Sequence, residues 1–198
     1  MCAENIFVDE LSIEPCHKTM TMTFQKGLNY LKGQNGSGKT MLLDYVAGIR
    51  NDQKQRISGN ENIVYINQNI FFADRLTGTD FVKFVYRLDN KSREREKFFE
   101  FTEKFDIDKK VDVKTLMEKQ WGLLSGGERK YLYSMVLLSL DREWYILDEP
   151  FVYLDTEKKE ILWKVIEAFA SEGKGVILTS HEEDSRINGS DIHVINLD

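Results

Sequence analysis

The sequence predicts an α/β fold: a mainly parallel sheet, preceded by a small antiparallel β layer and interrupted by a helical insert. Three observations carry this expectation. Leu28–Leu31 and Trp144–Leu147 are short apolar runs of the kind shown by parallel strands buried on both faces. The first runs into the glycine-rich Gly33-Gln34-Asn35-Gly36-Ser37-Gly38-Lys39-Thr40 and the second into Asp148-Glu149-Pro150, so both strands end at polar chemistry. Between them, from Leu76 to about Lys119, apolar residues recur with the spacing of a helix face.

Each element has its own warrant. Ile6–Leu11 alternates loosely, and Thr19–Phe24 alternates with period two, which places both in the antiparallel layer. Thr40–Ala47 is a helix with Met41, Leu42, Leu43, Tyr45 and Val46 as apolar residues, and Ile63–Ile66 is a short strand. Phe81, Phe84, Val85 and Leu88 stand at i, i+3, i+4 and i+7, followed by Phe98, Phe99, Phe101 and Phe105. Lys91–Lys97 is a run of mixed charge, the solvated face of a helix beginning near Ser92. Asp106–Lys119 is charged, lacks a clear period and receives no function. Ser125-Gly126-Gly127-Glu128 is a capping box ahead of the apolar run Tyr131–Leu140. Asp155 or Thr156 caps a helix to about Ala170 with Ile161, Leu162, Val165, Ile166 and Phe169 inward; Gly173 and Gly175 then lead into the next strand. Asp191–Leu197 is strand-like, and the whole chain is expected to form one domain over residues 1–198 with the helical insert at about 76–140.

The chemistry starts at Gly33–Thr40, which fits G-x-x-x-x-G-K-[ST]. Glycines at these positions let backbone N–H groups of Asn35, Gly36, Ser37 and Gly38 curl around phosphate oxygens, and the following helix directs its positive end at them. Lys39 would hold the β- and γ-phosphates of a nucleotide, and the Thr40 hydroxyl would ligate Mg²⁺. Ligands in open α/β sheets gather at the carboxyl ends of strands, which brings Asp148 and Glu149 to the same place. Asp148 is then a Mg²⁺ partner, directly or through water, and Glu149 is placed to polarise an attacking water. Ser125 as N-cap, with the N–H groups of Gly126 and Gly127, makes a small anion site of its own.

With these motifs in this order, the chain resembles, over nearly its whole length, the nucleotide-binding subunit of the ABC ATPase superfamily within the P-loop NTPases. The resemblance implies an ATP hydrolase with ATP and Mg²⁺ as its ligands. It implies that Ser125, Gly126 and Gly127 face the γ-phosphate held by the opposite protomer, in a head-to-tail dimer of two copies or of this chain with a paralogue. Val64-Tyr65-Ile66-Asn67-Gln68 resembles the strand and glutamine loop, with Gln68 as a Mg²⁺ and water contact. Leu154-Asp155 resembles the loop that crosses to the other protomer, and His181, after Val176–Ser180, resembles the switch histidine at the γ-phosphate. The helical insert takes the place of the subdomain that docks an integral membrane subunit, so part of Ile70, Phe71, Phe72, Leu76 and the aromatic stripe is expected to remain exposed.

The chain departs from the family pattern in three places, the mildest being Glu128, where the family more often has glutamine. Phe151, Val152 and Tyr153 replace the small or hydroxyl residues usual after Glu-Pro, and Ser12–Thr19 holds no Tyr, Phe or Trp to stack on adenine, leaving His17 as a weak substitute. Losing one aromatic contact removes on the order of 1 kcal/mol of base discrimination. The dissociation constants for ATP and GTP are therefore expected to lie within about tenfold of each other; a strong preference for ATP in a competition titration would contradict this.

Composition bounds the rest. At 198 residues with 41% hydrophobic and 30% charged residues, the chain suits one globular domain, short for the family and without room for a regulatory domain after His181. Apolar runs fall short of the roughly 18 residues that span a bilayer, and no signal pattern opens the chain. The expected location is cytoplasmic, peripheral to the membrane through its partner. A net charge of −6 argues against nucleic acid as partner, and two cysteines, Cys2 and Cys16, suggest neither a disulfide framework nor a metal site. The leading expectation is the energy-supplying subunit of a membrane transporter, with export of peptide or small-molecule cargo. The alternative is a soluble ABC ATPase of an assembly or maintenance complex, as in iron–sulfur cluster assembly.

Overall fold

The computed structural model describes residues 5–13, 18–51, 56–89, 94–180, 185–188 and 192–197. Cys2, Pro15, Cys16, His17, Ser92 and His181 lie outside these residues. The chain divides into two compact units, one of residues 1–67, 142–150 and 166–198, the other of 68–141 and 151–165.

The first unit carries both sheets. β1 (Ile6–Ile13) and β2 (Lys18–Phe24) pair antiparallel, and the two-residue β4 (Ile57–Ser58) adds to the free edge of β1. The register slips between Val8 and Leu11. Glu10 takes a φ of 47° there, and its N–H turns to the Thr21 hydroxyl at 2.9 Å, a bulge that bends the strand. The five-stranded sheet has the order β5 (Ile63–Ile66), β6 (Trp144–Asp148), β7 (Gly175–Thr179), β3 (Gly27–Lys32), β8 (Ile192–Asn196), and all its pairings are parallel.

Period-two side-chain geometry sorts the residues of this sheet onto two faces. Trp144, Ile146 and Ile177 join Leu42, Leu43 and Val46 of α1 (Lys39–Val46) and Ile6, Ile13 and Phe24 of the antiparallel layer in one core. Tyr145 packs at a tilt against Phe169 on the opposite face, with ring centroids 4.4 Å apart. Gly175 is required by close approach: a Cβ there would come within 2.2 Å of the Trp144 ring. The one buried amide of β3, Asn29, is satisfied by the backbone of Gln25 and Val176 and by His193 Nδ1 at 3.1 Å.

The second unit holds α2 (Gly78–Leu88), α3 (Glu94–Phe105), α4 (Val113–Glu118) and α5 (Gly126–Leu138), with the Phe151–Leu154 turns and the first part of α6 (Thr156–Ser171). Thr77 and Asp80 form a capping box at the start of α2, each accepting from the other's backbone N–H. Phe72, Phe81, Trp121 and Tyr133 form an aromatic cluster, with centroids 5.0–5.6 Å apart. The stretch after Asp106 has structure that its sequence did not announce. The Asp106 carboxylate accepts the N–H groups of Lys110 and Val111, and Asp112 caps α4, whose Val113, Leu116 and Met117 are buried. Asp155 caps α6 by accepting the Lys158 N–H at 3.0 Å.

Candidate active site

The phosphate loop forms where β3 passes into α1. Gly36 and Gly38 have φ of 82° and 98°, conformations that a Cβ would strain. A Cβ on Gly33 would meet Ser37 Oγ at 2.6 Å, so the loop closes tightly at its base, whereas one on Gly36 would meet nothing within 4 Å. Asn35 and Gly36 are exposed at its tip. The Ser37 hydroxyl is buried without a hydrogen-bond partner, and α1 begins with neither a side-chain cap nor an acid in its first turn. Lys39 is buried, and its Nζ donates to the carbonyls of Gly33 at 2.6 Å and Gln34 at 3.0 Å. An uncapped helix start, an orphaned hydroxyl and an ammonium on one open loop suit a polyphosphate.

The acidic strand end is tied directly to this loop. Thr40 Oγ1 donates to Asp148 Oδ2 at 2.8 Å. Thr179, which pairs with Asp148 in the β6–β7 register, donates its hydroxyl to Oδ1 at 2.6 Å and accepts the Glu149 N–H at 3.0 Å. Glu149 itself has a φ of 52° and is buried. A non-glycine residue is seldom held in this region, and such strain clusters at working sites. Thr40 Oγ1 and Asp148 Oδ2 are the hard oxygen donors that Mg²⁺ selects, so the residues present fit the ion.

Ser125, Gly126 and Gly127 belong to the helical unit. Ser125 Oγ accepts the Glu128 N–H at 3.1 Å, and Glu128 Oε2 accepts the Ser125 N–H at 2.7 Å. That backbone donor above all, helped by the Lys119 ammonium at 3.0 Å, holds the Glu128 carboxyl below the usual glutamate range. The box occupies the N–H groups of Ser125 and Glu128, so those of Gly126 and Gly127 are what the helix start presents. Gly127 has no room for a side chain: a Cβ would lie 2.4 Å from the Tyr153 carbonyl oxygen. The three bulky residues after Pro150 also separate in role. Phe151 is buried and stacks on Trp163 at 4.8 Å, whereas Tyr153 is 80% exposed, with a φ of 69°.

Gln68 is exposed, two positions beyond the end of β5. Thr40, Asp148 and Glu149 are thus brought together around the phosphate loop; Gln68 and the Ser125–Gly127 turn fall in the other unit, and His181 lies outside the described residues. Sequence reasoning missed Thr179 as a functional residue. Its signal was a hydroxyl closing an apolar strand at the position where Asp148 closes its neighbour.

The ABC transporter family matches residues 17–152. The cytochrome c biogenesis ATP-binding export protein CcmA of Haemophilus influenzae is 28% identical, covering 91% of this chain and 87% of its own. The energy-coupling factor transporter ATP-binding protein EcfA1 of Thermotoga maritima is 30% identical over 83% of this chain and 66% of its own. Among solved structures, an ABC transporter ATP-binding protein from Pyrococcus furiosus superposes with a TM-score of 0.76 at 25% identity, covering 98% of this chain and 97% of that one. A bacterial ABC cassette, MJ0796, solved as a dimer, shares the fold at a TM-score of 0.76 and 15% identity, covering 97% and 94%.

Proposed function

The chain belongs to the ABC transporter family, and from that premise we propose that it hydrolyses Mg-ATP to drive a membrane transporter whose cargo is a peptide or small molecule moved outward. The observation that carries the reading is the hydrogen-bonded chain from Thr40 through Asp148 and Thr179 to Glu149, which couples the phosphate loop to an acid held under strain. Asn35 to Thr40 bind the phosphates, with Lys39 leaving the loop carbonyls for the β- and γ-oxygens. Thr40, Asp148 and Gln68 would hold Mg²⁺. The ion, when bound, offsets negative charge on the phosphates. Glu149 takes the proton of the attacking water, and His181 and Gln68 position it.

Two copies, or this chain and a paralogue, close head to tail so that Ser125, Gly126 and Gly127 of one meet the γ-phosphate held by the other. The γ-phosphate supplies charge-assisted hydrogen bonds across the gap and its loss removes them, which makes closure depend on ATP and opening on hydrolysis.

Coupling to a membrane subunit is supported by apolar residues left in water on the helical unit. Phe71 is 89% exposed, Leu76 42%, and Phe84 and Leu88, one turn apart on α2, 52% and 69%. Large exposed apolar patches mark interaction sites. Tagged protein drawn from solubilised membranes is expected to bring an integral protein of several spans with it, and Phe71→Asp combined with Leu88→Asp to lose it. Co-purification with soluble scaffold proteins from the cytoplasmic fraction would favour the assembly-complex alternative instead.

A further inference from the structure

The Ser125–Gly127 turn is built around a carboxylate, and a carboxylate opposes the charge that the turn is proposed to meet. Glu128 is the third residue of α5, one position after Gly127. A negative side chain suits a helix start, whose unpaired N–H groups carry partial positive charge. The same negative charge repels a phosphate arriving at those N–H groups, more strongly as closure removes water. The carboxylate is not left bare. Its Oε2 accepts the Ser125 N–H at 2.7 Å, and its Oε1 accepts from the Lys119 ammonium at 3.0 Å. Arg129, the next residue along α5, turns its Nε to the Leu124 carbonyl at 3.0 Å instead. Lys119 itself stands on a fixed base. Its N–H donates to the Thr115 carbonyl in α4 at 3.2 Å, and its carbonyl accepts the Gly78 N–H at the start of α2 at 3.1 Å. The residues after it are tied to the same stretch: Gln120 bridges Thr77, and Trp121 and Gly122 donate to the Leu76 and Asp74 carbonyls at 2.7 and 2.9 Å. The ammonium therefore starts from a backbone position that folding has already fixed.

We propose that Lys119 is a positioning residue for the Ser125–Gly127 turn and acts on it through Glu128. Its ammonium holds one carboxylate oxygen while the other stays on the Ser125 N–H, and it cancels the charge that would turn a triphosphate away. The inference rests on the head-to-tail closure proposed above. The N–H groups of Gly126 and Gly127 then face the nucleotide of the other copy with a paired carboxylate behind them rather than a bare one. Lys119 itself need not touch the nucleotide. Its effect therefore exists only while position 128 carries a charge. That condition separates it from a cation that binds phosphate directly and from a lysine that only packs.

The experiment uses the full chain carrying Glu149→Gln, so that bound ATP is retained, and measures by sedimentation equilibrium the dissociation constant of the dimer formed with Mg-ATP. Adding Lys119→Met, which keeps the aliphatic stem, is expected to weaken the dimer about tenfold, or about threefold at each of two composite sites, the scale of a partly exposed ion pair. Lys119→Arg, which keeps the charge, should stay within about twofold of the parent. When Glu128→Gln is also present, Lys119→Met should change the constant by less than about twofold, because an amide needs no counter-charge. An equal loss with and without Glu128→Gln would overturn the inference, since the ammonium would then act without Glu128. No loss with Lys119→Met alone would overturn it as well. So would a fall in melting temperature, measured without nucleotide, that tracks the loss of dimer from variant to variant, because Lys119 would then serve packing alone. If the Glu149→Gln parent itself fails to dimerise with Mg-ATP, the head-to-tail reading falls first, and this inference with it.

Discussion

Glu149→Gln is expected to lower ATP turnover by at least about 100-fold, the usual contribution of a positioned general base, while leaving nucleotide binding intact. The substitution keeps the size of the side chain and its buried setting but removes the charge that accepts a proton from water. The backbone around it should not relax. Its N–H remains on the Thr179 hydroxyl and its φ remains at 52°, because Thr179 and Asp148 impose both. The variant should then retain ATP without consuming it and accumulate as a closed dimer. Phosphate release measures the first effect, and light scattering after gel filtration with ATP measures the second. A hydrolysis rate equal to wild type would remove Glu149 from the role. A loss of rate together with a loss of nucleotide affinity would instead indicate collapse of the strained turn.

What could be read from the sequence was chemistry that is local along the chain. Gly33–Thr40 is contiguous because a backbone loop must wrap a small anion, and its residue types follow from that geometry. The capping box at Ser125–Glu128 is local for the same reason: one helical turn brings the two residues together. Thr179 and Asp148 are 31 residues apart, and their bond exists only because β6 and β7 are neighbours in register. Lys119 and Glu128 belong to the same class, an ion pair visible only once α4 and α5 are packed.

The α2 stripe was legible in its period and only partly in its buried face. The spacing of Phe81, Phe84, Val85 and Leu88 is helical, but the buried residues are Phe81, Val82, Val85 and Tyr86. A rotation of the helix by less than one turn satisfies both patterns, and what decides is long-range: the Tyr86 hydroxyl meets Ser139 Oγ at 2.8 Å, and the Phe81 ring stacks on Tyr133. α4 was hidden because six residues give too few apolar positions to show a period, and its cap at Asp112 sits among other charges. β4, with two residues, carries no pattern at all.

The second large effect is expected at Gly127, where any side chain must displace backbone. Gly127→Ala would put a Cβ 2.4 Å from the Tyr153 carbonyl oxygen, and no flexible side chain is available to yield. Either the first turn of α5 shifts or the Phe151–Leu154 turns do, at a stability cost of about 1–3 kcal/mol. In either case the N–H groups that the helix start presents are moved. Phosphoryl transfer depends on fixed donors aimed at developing charge, so misplacing them should lower turnover about 100-fold. The phosphate loop and its acids are unaltered, so nucleotide binding to a single copy should remain close to wild type.

Mixing then tests the head-to-tail arrangement. A dimer of one Gly127→Ala copy and one Lys39→Ala copy has both lesions in one composite site and an intact loop facing an intact helix start in the other. Random pairing of two inactive variants should therefore restore up to about a quarter of wild-type turnover, since half the dimers are mixed and each holds one complete site. Completion of the site within one copy predicts no recovery at any ratio. Phosphate release across a series of mixing ratios separates the two, and a flat line would end the head-to-tail reading.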